Sequence, residues 1–476
     1  MRRKLVIAVL LIFTAGMTLW SNGNEEQIIQ DLFQDGTIQI DESADEISQN
    51  IEKLEQLYRI VDRDFLFDID HKAVYEEMAK GLFEGLNDEY SAYIVSKEST
   101  DFSEDTLGTY GGIGAYISKN YLEYRDFTKP ETYMINITSV FPGSPAEAAG
   151  LLPGDLISHI DGEPVDDLEA EDSSSSLKGE AGTDVVLTIY RNGRTFEVTV
   201  TRQNIQTPTV SASVIGDDMG YLQITQFTES TAMQVQQKLE EIGISTLSSL
   251  IIDLRNNPGG IVDGTLRIAD MLLDQGIIVQ IHSKSADKER VYIASPPVLV
   301  PESIPVVLLV NEGSASSSEI LAGALKDNER ATLIGTTTYG KGLIQIVSPF
   351  DDGYYTLTWS QYKTPDGNDI HKVGIPVDIE VDAMTVAEED MDEYLNFIQS
   401  NIANDFVQGH PEGTQEDYNE FLSEELPEER NLSDDIYRLI LRRAYLMELP
   451  YDERPIADVE YDVVLKRAVE FLTTGK

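Results

Sequence analysis

Between about Gln206 and Asp382 the chain alternates short apolar runs with segments of helical period, and no other feature limits its fold as much. Gly220-Tyr-Leu-Gln-Ile224 precedes a helical pattern from Thr231 to Ile242, and Leu250-Ile-Ile-Asp-Leu254 precedes another from Gly264 to Leu273. Ile304-Pro-Val-Val-Leu-Leu-Val310 leads into Ser318-Glu-Ile-Leu-Ala-Gly-Ala-Leu325, which also reads as a helix. Short apolar runs closed by turn residues are buried strands, and their alternation with helices predicts an α/β core.

The flanking regions have different periods. From about Ala44 to Tyr93, Ile47, Ile51, Leu54, Leu57, Tyr58 and Val61 recur at helical spacing, and a second helical pattern covers Ala73 to Leu86. Residues 24–45 are polar and acidic without sustained period and read as a tether. Residues 100–204 alternate short β-like runs with glycine turns, predicting a small β-rich domain in which Ser144 caps a short helix ended by Gly150. From about Ala383 to Lys476 the chain is acidic and helical, with apolar faces that include Ile436, Leu439, Ile440, Val464, Leu465 and Val469. Packing against the core is the expected use of those faces, with partner binding or dimerisation as the alternative.

Composition removes several functions. The formal charge is −49, from 84 acidic against 35 basic residues, which opposes contact with a phosphate backbone, so no nucleic-acid partner is expected. Absence of cysteine excludes disulfides, thiolate metal sites, a cysteine nucleophile and a lipidated cysteine anchor. Met1-Arg-Arg-Lys4 followed by the apolar run from Leu5 to Trp20 has the layout of an export signal. That run falls slightly short of the roughly 20 residues that span a bilayer. Both a removed signal and an anchor formed by residues 5–20 stay open, and either predicts an exported protein of the periplasm or cell envelope.

The chemistry concentrates in two stretches of the α/β region. Ser316 lies in Gly313-Ser-Ala-Ser-Ser-Ser-Glu319, and 341 − 316 = 25 positions later Lys341 lies in Thr338-Tyr-Gly-Lys-Gly342, followed by Gln345. A serine hydroxyl needs a group to take its proton, and histidine is scarce, with five in the chain. A lysine can serve if burial brings its pKa from about 10.4 to roughly 7–8. The four-residue separation of Lys341 and Gln345 predicts that both share one face of a strand. No histidine or carboxylate set has ligand spacing such as H-E-x-x-H, so neither metal nor cofactor is expected. His371 offers no conventional triad, because no G-x-S-x-G elbow surrounds any serine.

Asn311-Glu-Gly-Ser-Ala-Ser-Ser-Ser-Glu-Ile-Leu-Ala-Gly-Ala-Leu325 and Gly335-Thr-Thr-Thr-Tyr-Gly-Lys-Gly-Leu-Ile-Gln345 resemble the carboxyl-terminal processing, or tail-specific, protease family. The run from Phe141 to Val165, with Pro142-Gly-Ser-Pro-Ala and Gly150-Leu-Leu-Pro-Gly-Asp155, resembles a PDZ domain. The resemblance covers about residues 45–382. With the patterns above it implies an α+β multidomain chain with a helical N-terminal region, a β-rich PDZ domain at 100–204 and a crotonase-like α/β protease core at 205–382, and it leaves the acidic helical extension at 383–476 unexplained. It further implies that Ser316 is the nucleophile, Lys341 the base and Gln345 the residue that orients the lysine. Ser317 departs from the pattern, standing where the family usually has alanine, and its unchanged N–H is expected to preserve activity. The oxyanion donors expected are the N–H of Ser317 and that of Gly259 or Gly260, in Asp253-Leu-Arg-Asn-Asn-Pro-Gly-Gly260, which resembles the family's oxyanion loop.

A PDZ domain binds a peptide as an added strand and holds its carboxylate on backbone N–H groups. Gly111, Gly112, Ile113 and Gly114 form the expected carboxylate loop. The expected partners are protein or peptide substrates with apolar C-termini, and a homodimer stays open. No nucleotide-binding motif is present, so proteolysis without ATP is expected. The rival reading is a PDZ scaffold with a latent or vestigial site.

Overall fold

The computed structural model describes residues 43–95, 108–120, 125–284, 289–351, 353–384, 386–426, 430–449 and 453–475. The expected signal or anchor at residues 5–20 lies outside them. Among the described residues no helix is long and apolar enough to cross a membrane. They form two compact units, one containing 43–95 and 346–358, the other the remainder.

In the smaller unit the helical patterns become the helices Ser43–Asp64 and His71–Glu84. The Asp70 carboxylate accepts the Lys72 and Ala73 N–H groups, satisfying donors that have no partner inside the second helix. The first helix leaves Ile47, Ile51, Leu54 and Leu57 exposed. Ala92–Ile94 departs from the helical expectation: it is a short strand, antiparallel to Tyr354–Thr356, and Tyr93 packs edge-on against Tyr75.

The larger unit begins with the β-rich region. Its main sheet runs in the order Ala115–Ser118, Ile135–Val140, Leu156–Ile160, Asp184–Arg191 and Arg194–Thr201. Alternate residues Ile135 and Ile137, and Val185, Leu187 and Ile189, face its core, as period-two patterning requires. Ala115–Ser118 is an edge strand, pairing among the described residues with Ile135–Val140 alone, and the helix Ala170–Leu177 lies beside it across a groove. Ser144 caps the helix Pro145–Ala148, and Gly150 follows it at φ 76°, as expected.

The α/β region contains a six-stranded sheet in the order Val210–Ile215, Met219–Ile224, Ser249–Asp253, Val306–Val310, Ala331–Gly335 and Ile379–Glu380. The first pair is antiparallel and every other pair parallel. Parallel strands need crossovers, which the helices Thr231–Glu241, Val262–Leu272 and Ser317–Asp327 supply. Every residue of Ser249–Asp253 and Val306–Val310 is buried, because both faces of the sheet are covered. Leu250, Ile252, Leu308 and Val310 join the core containing the crossover helices, whereas Ile251, Val307, Leu309 and Ile334 pack against Val464, Leu465 and Ala468 of the helix Val463–Thr474. The end of the acidic extension therefore packs on the core. Between about residues 391 and 448 the extension builds its own apolar cluster around Phe397, Phe406, Phe421, Tyr437 and Leu441.

Candidate active site

Three segments meet at the carboxyl ends of three adjacent strands. Ser249–Asp253 runs into the loop ending at Gly260, Val306–Val310 runs into the turn carrying Ser316, and Ala331–Gly335 runs into the loop carrying Lys341. Crevices beyond strand ends are where parallel sheets expose loop residues to ligands.

Ser316 immediately precedes the helix Ser317–Asp327 and has φ 58° and ψ −114°, a backbone conformation that an L-residue holds only when its surroundings enforce it. Its neighbours provide that enforcement. Ser314 Oγ donates to Leu254 O at 2.8 Å, Ser317 Oγ to Gly260 O at 2.9 Å, and Ser318 Oγ to Asn257 O at 2.9 Å. Three hydroxyls thus fasten the turn to the 253–260 loop. Ser316 Oγ, although buried, has no hydrogen-bond partner among the described residues.

The loop is shaped for close approach. Asn257 donates its side-chain N–H to Ile224 O and accepts the Gly259 N–H at 2.9 Å, while its carbonyl accepts the Ala315 N–H at 3.0 Å. Gly259, at φ 100°, lies so near the serine that a Cβ there would stand 2.8 Å from Ser316 Cβ and 2.9 Å from Ser317 N. Only glycine fits such a position. Of the two expected donors, the Gly259 N–H thus already has an internal acceptor in Asn257 Oδ1.

Glu319 is the residue that sequence reasoning missed. It is fully buried, and its Oε2 accepts the Ser316 and Lys341 N–H groups, both at 2.8 Å. Its Oε1 accepts the Thr338 hydroxyl at 2.6 Å and the Gly340 N–H at 2.7 Å. One carboxylate clasps the serine turn to the lysine loop. Burial pushes its pKa above the ordinary glutamate range, against the pull of these donors. The available signal was Ser316-Ser-Ser-Glu319, the spacing of a capping box. Only the glutamate half of that arrangement forms here, since the Glu319 N–H bonds the Ser316 carbonyl at 2.8 Å.

Lys341 is 3% exposed and Gln345 fully buried. The expectation that both share a strand face is corrected: the strand is Leu343–Phe350, which holds Gln345 but begins after Lys341. The reason is that backbone groups near Lys341 are bonded elsewhere, with the N–H on Glu319 and the carbonyl accepting from Tyr362 O–H. His371 lies beside this loop, where a Cβ on Gly342 would meet its backbone.

In the β-rich region, Tyr110, Ile113, Ala115, Ile117, Ser174 and Leu177 line the groove between edge strand and helix. Lys178 Nζ stands 5.3 Å from the centre of the Tyr110 ring. Gly111 and Gly112 belong to a strand, Thr109–Gly112, paired with Gln203–Gln206, while Ile113 and Gly114 form the following turn. The Ile113 and Gly114 carbonyls are engaged internally by the Ala146 and Phe141 N–H groups.

A buried hydroxyl on a strained turn is thus joined, through the Glu319 carboxylate, to the loop that carries a buried lysine. The family model for peptidase family S41 matches residues 218–381, and that for the PDZ domain matches 137–191. The chain is 31% identical over 400 residues to a probable CtpA-like serine protease of Staphylococcus saprophyticus, covering 83% of this chain and 74% of that one. It is 33% identical over 354 residues to a carboxy-terminal-processing protease of Bartonella bacilliformis, covering 73% and 77%. A solved photosystem II D1 C-terminal processing protease is 29% identical, with 70% of this chain and 86% of that chain covered and a TM-score of 0.42. The chain belongs to the carboxyl-terminal processing proteases of peptidase family S41.

Proposed function

We propose that Ser316 is the nucleophile, Lys341 the general base and Gln345 the residue that orients the lysine. The observation that carries this reading is the unsatisfied hydroxyl: of the hydroxyls at 314, 316, 317 and 318, that of Ser316 alone has no hydrogen-bond partner among the described residues. In this mechanism Lys341 Nζ accepts the hydroxyl proton as Ser316 Oγ bonds the scissile carbonyl carbon. Charge develops on the carbonyl oxygen within reach of the Ser317 and Gly260 N–H groups, at a helix start where donors have no intrahelical partner. The protonated lysine then gives its proton to the leaving amine, and water releases the acyl group by the same steps. The rate therefore rises with pH as Lys341 loses its proton, and a flat profile would contradict a lysine base.

The edge strand Ala115–Ser118 and its apolar groove support capture of a substrate tail as an added strand, with the carboxylate held near Gly111, Gly112, Ile113 and Gly114. Partners are then proteins with apolar C-termini, cleaved without ATP. Export to the periplasm or cell envelope, with residues 5–20 as signal or anchor, and a homodimer belong to the same proposal. The test uses the purified chain without nucleotide, with Ser316→Ala and Lys341→Ala as controls, on an unfolded protein ending in an apolar or a charged tail. Cleavage by wild type alone, faster with the apolar tail, is expected. Tail binding without cleavage would favour the scaffold alternative, and equal rates for both tails would remove the tail preference.

A further inference from the structure

The 253–260 loop is fastened on its inner side by the serine turn, but one anchor reaches it from a distant part of the chain. Arg255 Nη1 and Nη2 donate to both oxygens of Asp462 at 2.9 and 2.6 Å, while Nε and Nη2 donate to Asp253, at 2.5 Å for the shortest contact. Tyr221 O–H donates to the same Asp253 carboxylate at 2.8 Å. Such two-pronged guanidinium–carboxylate pairs fix direction as well as distance. Burial would lower the Arg255 pKa, yet the two carboxylates hold it above its ordinary value. Asp462 is also the cap of the terminal helix, accepting the Val464 and Leu465 N–H groups at 3.1 and 3.0 Å, and that helix lies along the outer face of the sheet. One carboxylate thus joins the start of the terminal helix to a loop 207 residues earlier.

The arginine occupies a sensitive place. The next residue, Asn256, has φ 58°, and the glycines assigned to the oxyanion site follow within the same loop. Asn256 is itself tied to the segment before the serine turn, its N–H donating to Asn311 Oδ1 at 2.8 Å. The loop is therefore held between the serine turn on one side and the Asp253–Arg255–Asp462 pairs on the other. We propose that Asp462 is a positioning residue for proteolysis, and that the C-terminal extension, through it, sets the geometry of the oxyanion loop. This rests on the assignment of Ser316 and the Gly260 N–H made above.

The test separates capping from positioning in the full chain. Asp462→Ser keeps a side-chain oxygen for the helix cap but cannot reach Arg255. Leu465→Ala loosens the same helix on the sheet and leaves the ion pair intact. Three quantities are read: the melting temperature, kcat and KM on unfolded casein, and the rate at which a fluorophosphonate labels Ser316. We expect Asp462→Ser to lower kcat and the labelling rate about tenfold with KM unchanged, since small misplacements of catalytic groups cost up to roughly 100-fold. We expect Leu465→Ala to lower the melting temperature while leaving both rates, measured well below it, within about twofold of wild type. Should Asp462→Ser not fold, Asp462→Asn keeps cap and size while weakening the arginine contact, and reads the same quantities. A folded Asp462 variant with wild-type kcat and labelling rate overturns the proposal, as does a loss that Leu465→Ala matches. Failure of the underlying assignment shows separately, as labelling or cleavage that survives in Ser316→Ala.

Discussion

The serine turn and the PDZ groove lie in one chain and solve opposite problems. At the turn nearly every polar group is committed: three of four hydroxyls, the Asn257 amide and both Glu319 oxygens are bonded internally, and one hydroxyl remains. The groove is the reverse, an edge strand with one side unpaired among the described residues, lined by apolar residues and a lysine over a ring. Catalysis gains from donors fixed before the substrate arrives, because no reorganisation is then needed in the transition state. Capture of a tail needs vacancy, because the peptide itself completes the sheet. Changes at the turn should therefore act on kcat, and changes in the groove on KM.

The largest departure is expected from Gly259→Ala. The added methyl would press on the Ala315 carbonyl, at 2.7 Å, and on the Ser316–Ser317 peptide, on a backbone at φ 100°. We expect kcat to fall about 100- to 1000-fold, as when an oxyanion donor is lost, with KM for an apolar tail unchanged. An equal rise in KM would show that turn and groove are not separate devices.

Glu319→Gln comes next. Three N–H groups and a hydroxyl converge on the carboxylate, so an amide would turn its own N–H donors toward donors. A loss of roughly 100-fold in kcat is expected, by displacement of the serine turn from the lysine loop. The pH dependence of stability has a definite sign. Because burial raises the folded-state pKa of Glu319 above its unfolded value of about 4.3, this carboxyl stabilises the fold most below that value. The contribution is lost as pH rises through the raised pKa. Melting curves should show the advantage of wild type over Glu319→Gln shrinking from acid toward neutral pH, and an advantage that grows would mean that the donors outweigh burial.

The groove supplies the contrary case. Ser174 lines it from the helix Ala170–Leu177, so Ser174→Phe should fill it without touching the turn. We expect KM for an apolar-tailed substrate to rise about tenfold, the order of one lost apolar anchor, with kcat and fluorophosphonate labelling unchanged. A fall in labelling would reveal that tail binding activates Ser316, the latent form of the enzyme.

How far the sequence disclosed this contrast depends on the range of the interactions involved. Strand and helix alternation, the start of the Ser317–Asp327 helix, and the Ser144 cap with Gly150 are local patterns, and all were legible. The clasp was not, because Glu319 bonds donors 19 to 22 residues ahead, and no period marks a side chain that bonds a loop's backbone. Lys341 was placed on a strand because spacing alone cannot show that its N–H leaves the ladder for Glu319. The strand Ala92–Ile94 owes its form to a partner more than 260 residues away, a pairing invisible to local propensity. The apolar face of the terminal helix was legible, but not which side of the sheet it covers.

Ser317 gives the smallest expected effect and the finest test of the contrast. Its hydroxyl lies next in sequence to the proposed nucleophile. It donates to Gly260 O at 2.9 Å as one of three staples between turn and loop. Ser317→Ala keeps the N–H assigned to the oxyanion and removes one neutral hydrogen bond, worth about 1 kcal/mol net. We expect kcat to fall no more than about fivefold, that energy expressed as a rate, with KM unchanged and a melting temperature lower by a few degrees. The remaining staples, from Ser314 and Ser318, hold the turn meanwhile. A loss of 100-fold or more would mean that the Ser317 hydroxyl contacts the substrate, and that more than one serine of this cluster takes part in the chemistry.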